Sequence, residues 1–249
     1  MEHQTIIAYG NEYKDNERGY DFLLLHEMAH EWWGNYLSVG DWSDFWIHEG
    51  FAVYSEALFI EEKFGVDEYN SFFKKNLLKK IPQYKPIVLN RNATMKQVAG
   101  LDPYYKGAFV LHMLRYLIGD EDFFKVIKEF LHSKKKAPDN QVSTSDFIDI
   151  VHNTIGENID WFFEVYLYEK KYPILIKDIN HGSNHTFVEL SWKNKGFAMP
   201  VEVFYKSNTG FTQKKLVITN EPTMIAIPQY NQIKIDPDKR ILLTLDKKE

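Results

Sequence analysis

Residues 26–34 read HEMAHEWWG, two histidines four apart with a glutamate directly after the first. On an α-helix four residues turn through about 400°, so His26 and His30 project from one face with Cβ atoms roughly 5–6 Å apart. Two imidazoles so placed reach one metal ion. Glu27 is rotated by about 100° from His26, too far round to be a further ligand but close enough to take a proton from a water on the metal. Two histidine ligands and a carboxylate base form the arrangement that hydrolyses peptide bonds with a metal-activated water.

Such a site needs a third ligand. Were it a histidine of the extended motif, Gly and His would stand three and six residues after His30. Those positions hold Trp33 and Tyr36, which excludes that class. Glu49 follows His30 after 18 intervening residues, across the turn-like SVGDWSD and near the start of a second helical stretch. A carboxylate there completes a His, His, Glu set and leaves a fourth position for water, as catalytic zinc requires. The chain has no cysteine, so thiolate ligands, a thiol nucleophile and disulfides are all excluded; zinc is the metal expected from the remaining donors. Glu56, seven residues after Glu49 and on the same helical face, is a candidate partner for a ligand histidine, as are Asp44 and Asn35. His48, His112, His132, His152, His181 and His185 show no ligand spacing and read as surface or satisfied core residues.

The elements that must position these residues follow from periodicity. Between residues 20 and 170, apolar residues recur three and four apart in YDFLLLHEMAHEWWGNYL, FWIHEGFAVYSEALFIEEKFG, YKGAFVLHMLRYLIG, DEDFFKVIKEFLHS, STSDFIDIVHNTIG and NIDWFFEVYLYEK, which predicts a succession of amphipathic helices. Ser143 or Thr144 and Asp160 are the expected caps, and Gly119 and Gly156 the helix ends. The cluster Trp32, Trp33, Trp42, Phe45 and Trp46 is expected to form the core between the two metal-bearing helices. Ahead of them there is room for one strand, QTIIAY. At Tyr172-Pro173 the period becomes alternating, in PILIKDIN, TFVELSW, MPVEVFY, KKLVITN, MIAIPQ, QIKID and RILLTL, with turn pairs such as His181-Gly182 between them. The expected fold class is therefore α+β: a mainly helical domain over residues 1–171 and a small all-β sandwich over 172–249.

Composition narrows the partners. Hydrophobic content of 44% and charged content of 26% belong to a globular chain, and no apolar run approaches the roughly 18 residues of a membrane span. The net charge of -5 speaks against nucleic acid, whose phosphates need clustered positive charge. The lysine run at 134–136 is short and reads as a solvated loop. MEHQTIIAYG lacks the basic-then-apolar order of a signal peptide, and the compartment stays open.

With HEMAHEWWGN and WIHEGFAVYSE at their 18-residue gap, followed by YYKGA, the sequence resembles the gluzincin aminopeptidases related to aminopeptidase N. The motifs cover about residues 1–170; the order of domains extends the likeness into the sandwich. The resemblance implies a thermolysin-like catalytic domain with one zinc ion on His26, His30 and Glu49, and Glu27 as general base. It also makes Tyr104, two residues before Lys106, the donor to the developing oxyanion. The opening Met1-Glu2-His3 is similar to the last part of the family's Gly-x-Met-Glu-Asn stretch, which would make Glu2 the anchor for a substrate's free α-amino group. Family members place a β-domain and several sheet strands ahead of the point where this chain starts, so the resemblance also implies a catalytic domain truncated at its N-terminal sheet and a low turnover. The substrate class would be peptides with a free N-terminus. A zinc endopeptidase and a non-catalytic binding module are the rival readings.

Overall fold

The computed structural model of the chain describes residues 2–83, 85–133, 141–207, 210–228 and 233–247. The lysine run at 134–136 lies outside the described residues. The chain divides into two compact units, Met1–Lys170 and Lys171–Glu249.

The first unit opens on a hairpin of β1 (Glu2–His3) and β2 (Ile6–Ile7), where one strand was expected; Thr5 turns the chain with φ of 65°. Helix α1 (Phe22–Ala29) starts at Asp21, whose carboxylate accepts the N–H groups of Leu23 and Leu24 at 3.1 and 3.2 Å. These are two of the orphan donors of a helix N-terminus. The apolar pattern predicts a helix running on through Leu37, but α1 stops with His30 as its last, still helical, cap residue. Beyond it the turns widen, with the N–H groups of Asn35, Tyr36 and Leu37 donated five residues back to His30, Glu31 and Trp32. Gly34 then doubles the chain back at φ 135°, a conformation that a side chain would strain.

After β3 (Ser38–Val39) and a 3-10 turn at Trp42–Asp44 comes α2 (Trp46–Phe64). Residues 46–54 are buried on every side, which marks α2 as the central helix of its unit. Of the helices that follow, α3 (Val66–Ser71), α5 (Asp102–Ile118), α6 (Asp120–His132) and α7 (Thr144–Ile155) pack against it, and α4 (Met95–Val98) and α8 (Asp160–Phe163) are single turns of the same unit. A short β4 (Gln141–Val142) pairs parallel with β3. Ser143 caps α7 as expected, and Gly119 and Gly156 end α5 and α7. Asp160 does not cap: it is the first helical residue of α8, behind Ile159. Phe51, Phe130 and Phe147 meet with ring centroids 5.0–5.7 Å apart, each burial contributing about 1.5–3 kcal/mol. Trp33, Phe45 and Trp46 join the core, whereas Trp32 and Trp42 are 52% and 43% exposed. The expected aromatic core is therefore only partly formed.

One buried charge belongs to this core. Lys106 on α5 is buried and donates to the Glu169 carbonyl at 2.9 Å. Burial, opposed by Asp102 and Glu169, lowers its pKa to about 8. An unfolded lysine holds its proton to about 10.4, so between these values the unfolded chain binds more protons and stability rises with pH. The expected gain from pH 8 upward is on the order of 3 kcal/mol. Denaturant titrations across this window should show the rise in the native chain and a flat profile in Lys106→Met; equal slopes would remove the assignment.

The second unit is all strand and loop among the described residues. β5 (Ile174–His181), β6 (His185–Trp192), β7 (Pro200–Ser207), β8 (Gly210–Val217), β9 (Thr223–Pro228), β10 (Ile233–Ile235) and β11 (Thr244–Lys247) form two sheets, ordered β11-β5-β6-β9 and β10-β7-β8. Among the described residues of this unit, β11–β5 is the one parallel pair. Alternation places Val188, Leu190 and Trp192 of β6, and Val201, Val203 and Tyr205 of β7, on buried faces. The strand expected over KKLVITN forms earlier, as β8, and RILLTL pairs only from Thr244 because Ile241 and Leu242 are buried in a loop. A helical unit and separate small sheets make the fold α+β.

Candidate metal centre

Helix α1 supplies two imidazoles and α2 one carboxylate to a single buried point. His26 Nε2 lies 3.1 Å from His30 Nε2 and 3.2 Å from Glu49 Oε2, and His30 Nε2 lies 3.5 Å from the same oxygen. Among the described residues this is the one group of His, Asp and Glu side chains arranged to hold a metal ion.

The outer nitrogens decide what the inner ones can do. His30 Nδ1 donates to the Trp33 carbonyl at 2.9 Å, and a carbonyl only accepts, so in the neutral ring Nε2 carries the lone pair. His26 Nδ1 meets Glu56 Oε1 at 3.0 Å, which fixes its ring in the same sense. Two imidazole nitrogens and a carboxylate oxygen then converge on one point, which suits a cation: a metal ion or, without one, the proton that His26 holds. Burial pulls the His26 pKa down, but the Glu49 and Glu56 carboxylates outweigh it and raise it to about 9. Glu49 shows the converse: burial pushes it up and the two histidines bring it down to about 2. For tetrahedral zinc with bonds of about 2.0–2.1 Å, ligand atoms stand about 3.3–3.4 Å apart. The three measured separations bracket that value, so these residues fit zinc.

Glu27 is buried on α1, one residue beyond His26. Tyr104, in the first turn of α5, comes to the same place: its ring lies 16° from parallel to the His26 ring, with centroids 6.1 Å apart, and edge-on to Phe45 at 6.2 Å. A cavity of about 730 Å³ opens beside this pair, lined by His26, Glu56, Tyr104, Tyr105, Arg18 and Lys80 among others. Lys80 sits 4.9 Å over the Tyr105 ring.

The Peptidase family M1 domain matches residues 2–166, well over half of the chain. The chain belongs to peptidase family M1. Its relatives include aminopeptidase M1 of Arabidopsis thaliana, 26% identical over 188 residues that make up 72% of this chain and 21% of that protein. Endoplasmic reticulum aminopeptidase 2 of Homo sapiens is 30% identical over 118 residues, 44% of this chain and 12% of that one. In fold, this M1 chain is similar to Legionella pneumophila aminopeptidase A, solved in complex with aspartic acid. The TM-score is 0.69 at 20% identity, over 92% of this chain and 27% of the other. The M1 chain thus spans about a fifth of the length of the curated relatives first matched, at 21% and 20%.

The remaining expected site residues divide. The Glu2 side chain lies outside the described residues. Glu56 does meet His26, as its place on the same face of α2 as Glu49 predicts. Asp44 does not: its carboxylate accepts from Thr144 N and Oγ1 at 3.1 and 2.7 Å and pairs with Arg91 at 2.8 Å, tying α7 to the start of α2. Asn35 contributes its backbone N–H to the His30 carbonyl. His48 is buried beside the site, accepting Val39 N–H at 3.1 Å; burial, with His30 nearby, lowers its pKa to about 4. The Trp33 carbonyl, which orients His30, escaped the sequence because a backbone acceptor has no residue code. Its one trace is Gly34, whose backbone conformation turns that carbonyl toward the ring.

Glu56→Gln keeps an acceptor for His26 Nδ1 and removes the charge that makes the ring a stronger ligand. Zinc affinity measured by chelator competition is expected to fall 10–100-fold. An affinity within twofold of the native chain would show that Glu56 does not tune the ligand.

Proposed function

We propose that the chain carries the zinc centre of an aminopeptidase and removes the N-terminal residue of peptides. The convergence of His26, His30 and Glu49 at separations of 3.1–3.5 Å, with Glu27 next in sequence, carries this reading. The relatives' names as aminopeptidases support it. Residues 1–171 then act as a thermolysin-like metallopeptidase domain and residues 172–249 as a β-sandwich domain.

Zinc on His26, His30 and Glu49 would supply Lewis acidity, lowering the pKa of a coordinated water toward about 7 and polarising the scissile carbonyl. Glu27 holds the proton given up by the attacking water and passes it to the leaving amine. The Tyr104 phenol donates to the oxygen that becomes negative as the carbonyl is attacked. Glu56 fixes the tautomer of His26, and the Trp33 carbonyl that of His30, so both Nε2 atoms stay free to bind metal. Glu2, by the resemblance, binds the substrate's α-ammonium one residue from the cut and thereby sets the exopeptidase register.

Hydrolysis of a panel of aminoacyl chromogenic amides by the zinc-loaded chain, each with and without an N-acetyl group, tests this. Cleavage of the free amines and loss of cleavage on acetylation is the expected result. Equal cleavage of both forms would point to an endopeptidase. Cleavage of neither, with zinc bound, would point to a zinc-bearing binding module.

A further inference from the structure

Helix α5 lies across α2 at two glycines. A Cβ added to Gly50 would stand 2.9 Å from both the Cα and the carbonyl carbon of Gly107, and one added to Gly107 would stand 2.9 Å from Gly50 Cα. Both obstacles are backbone, and no rotamer change relieves them. Helix propensity alone favours alanine at each position, so the glycines answer to the contact rather than to the helices. Their neighbours are the functional side chains. Glu49 immediately precedes Gly50, and Tyr104 precedes Gly107 by three residues, on the same face of α5.

We infer that the Gly50–Gly107 backbone contact sets the distance between the metal-ligand set and the Tyr104 hydroxyl, making both glycines positioning residues for the reaction proposed above. A methyl group at either position forces α5 away from α2 by the several tenths of an ångström needed to reach ordinary van der Waals contact. Tyr104 rides on the moving helix, while His26 and His30 stay on α1. The role rests on the proposed function, in which Tyr104 donates to the oxyanion.

The test compares the native chain with Gly107→Ala and Gly50→Ala, each zinc-loaded and carrying 3-fluorotyrosine at position 104. Both variants are expected to fold and to shift the fluorine resonance relative to the native chain. Gly107→Ala is further expected to keep one zinc and, at little-changed KM, to lose turnover on the order of 10-fold, since a misplacement of a full ångström costs about 10²-fold. In a Tyr104→Phe background the same substitution should add almost nothing, because the residue it acts through is already disarmed. An unshifted resonance with native turnover would overturn the inference, as would losses that multiply with that of Tyr104→Phe. Failure of both variants to fold would assign the contact to the stability of the unit and overturn it equally. A native chain that hydrolyses no aminoacyl amide would count against the peptidase reading alone, since the fluorine resonance still reports where Tyr104 stands.

Discussion

Glu27→Gln is expected to abolish hydrolysis while leaving the metal in place. The substitution preserves the volume of a buried side chain and removes only its capacity to take and return a proton. None of the three ligand atoms belongs to Glu27, and the groups that fix the ligand rings are Glu56 and the Trp33 carbonyl. Metal content should therefore match the native chain. A positioned general base contributes typically 10²–10⁴-fold to rate, and the same residue here serves both proton transfers, so the loss is expected at the upper end of that range. Elemental analysis and aminoacyl amide turnover on the same preparation check both halves. Retained zinc with full turnover would show that the base is another residue.

Glu49→Gln should act on the other half of the site. Glu49 is the one carboxylate of the proposed ligand set, held ionised by the two histidines despite burial. A neutral amide leaves two imidazoles and a weak carbonyl donor. Losing a ligand should cost more than losing an outer partner, which is worth 10–100-fold in affinity, so a loss on the order of 10³-fold or more is expected. Linkage makes this visible without catalysis. Zinc at 100 times its Kd stabilises the native chain by about 2.7 kcal/mol, and the corresponding rise in Tm should vanish in Glu49→Gln. An undiminished rise would mean that Glu49 is not a ligand.

Local periodicity already puts the residues of the buried His26, His30 and Glu49 cluster within reach of one another. His26 and His30 stay one turn apart although α1 ends between them, because His30 keeps helical backbone angles as the cap residue. Glu49 and Glu56 share a face of α2 for the same reason, and the sequence also places the caps at Ser143, Gly119 and Gly156. What it missed depends on non-local partners. Asp44 looks like a neighbour of the metal until Thr144, a hundred residues on, and Arg91 claim its oxygens. Trp32 and Trp33 are equally apolar in sequence, yet Trp33 packs against Phe51 and Phe130 while Trp32 stands exposed. QTIIAY holds enough β-branched residues for a strand, yet its paired part is Ile6–Ile7 alone, set against Glu2–His3 across a turn that Thr5 makes in the left-handed region. Tyr104 became a candidate site residue through the family resemblance; its spacing alone is that of a packed helix start, and its nearness to His26 is a tertiary fact.

His26, His30 and Glu49 are proposed to hold one zinc ion. The most direct test is the zinc content of the purified chain after dialysis against metal-free buffer, measured beside His30→Ala and Glu49→Gln. One zinc per native chain, falling to a small fraction in each variant, is the predicted result. A native chain without zinc, or variants that hold as much zinc as the native chain, would contradict the account.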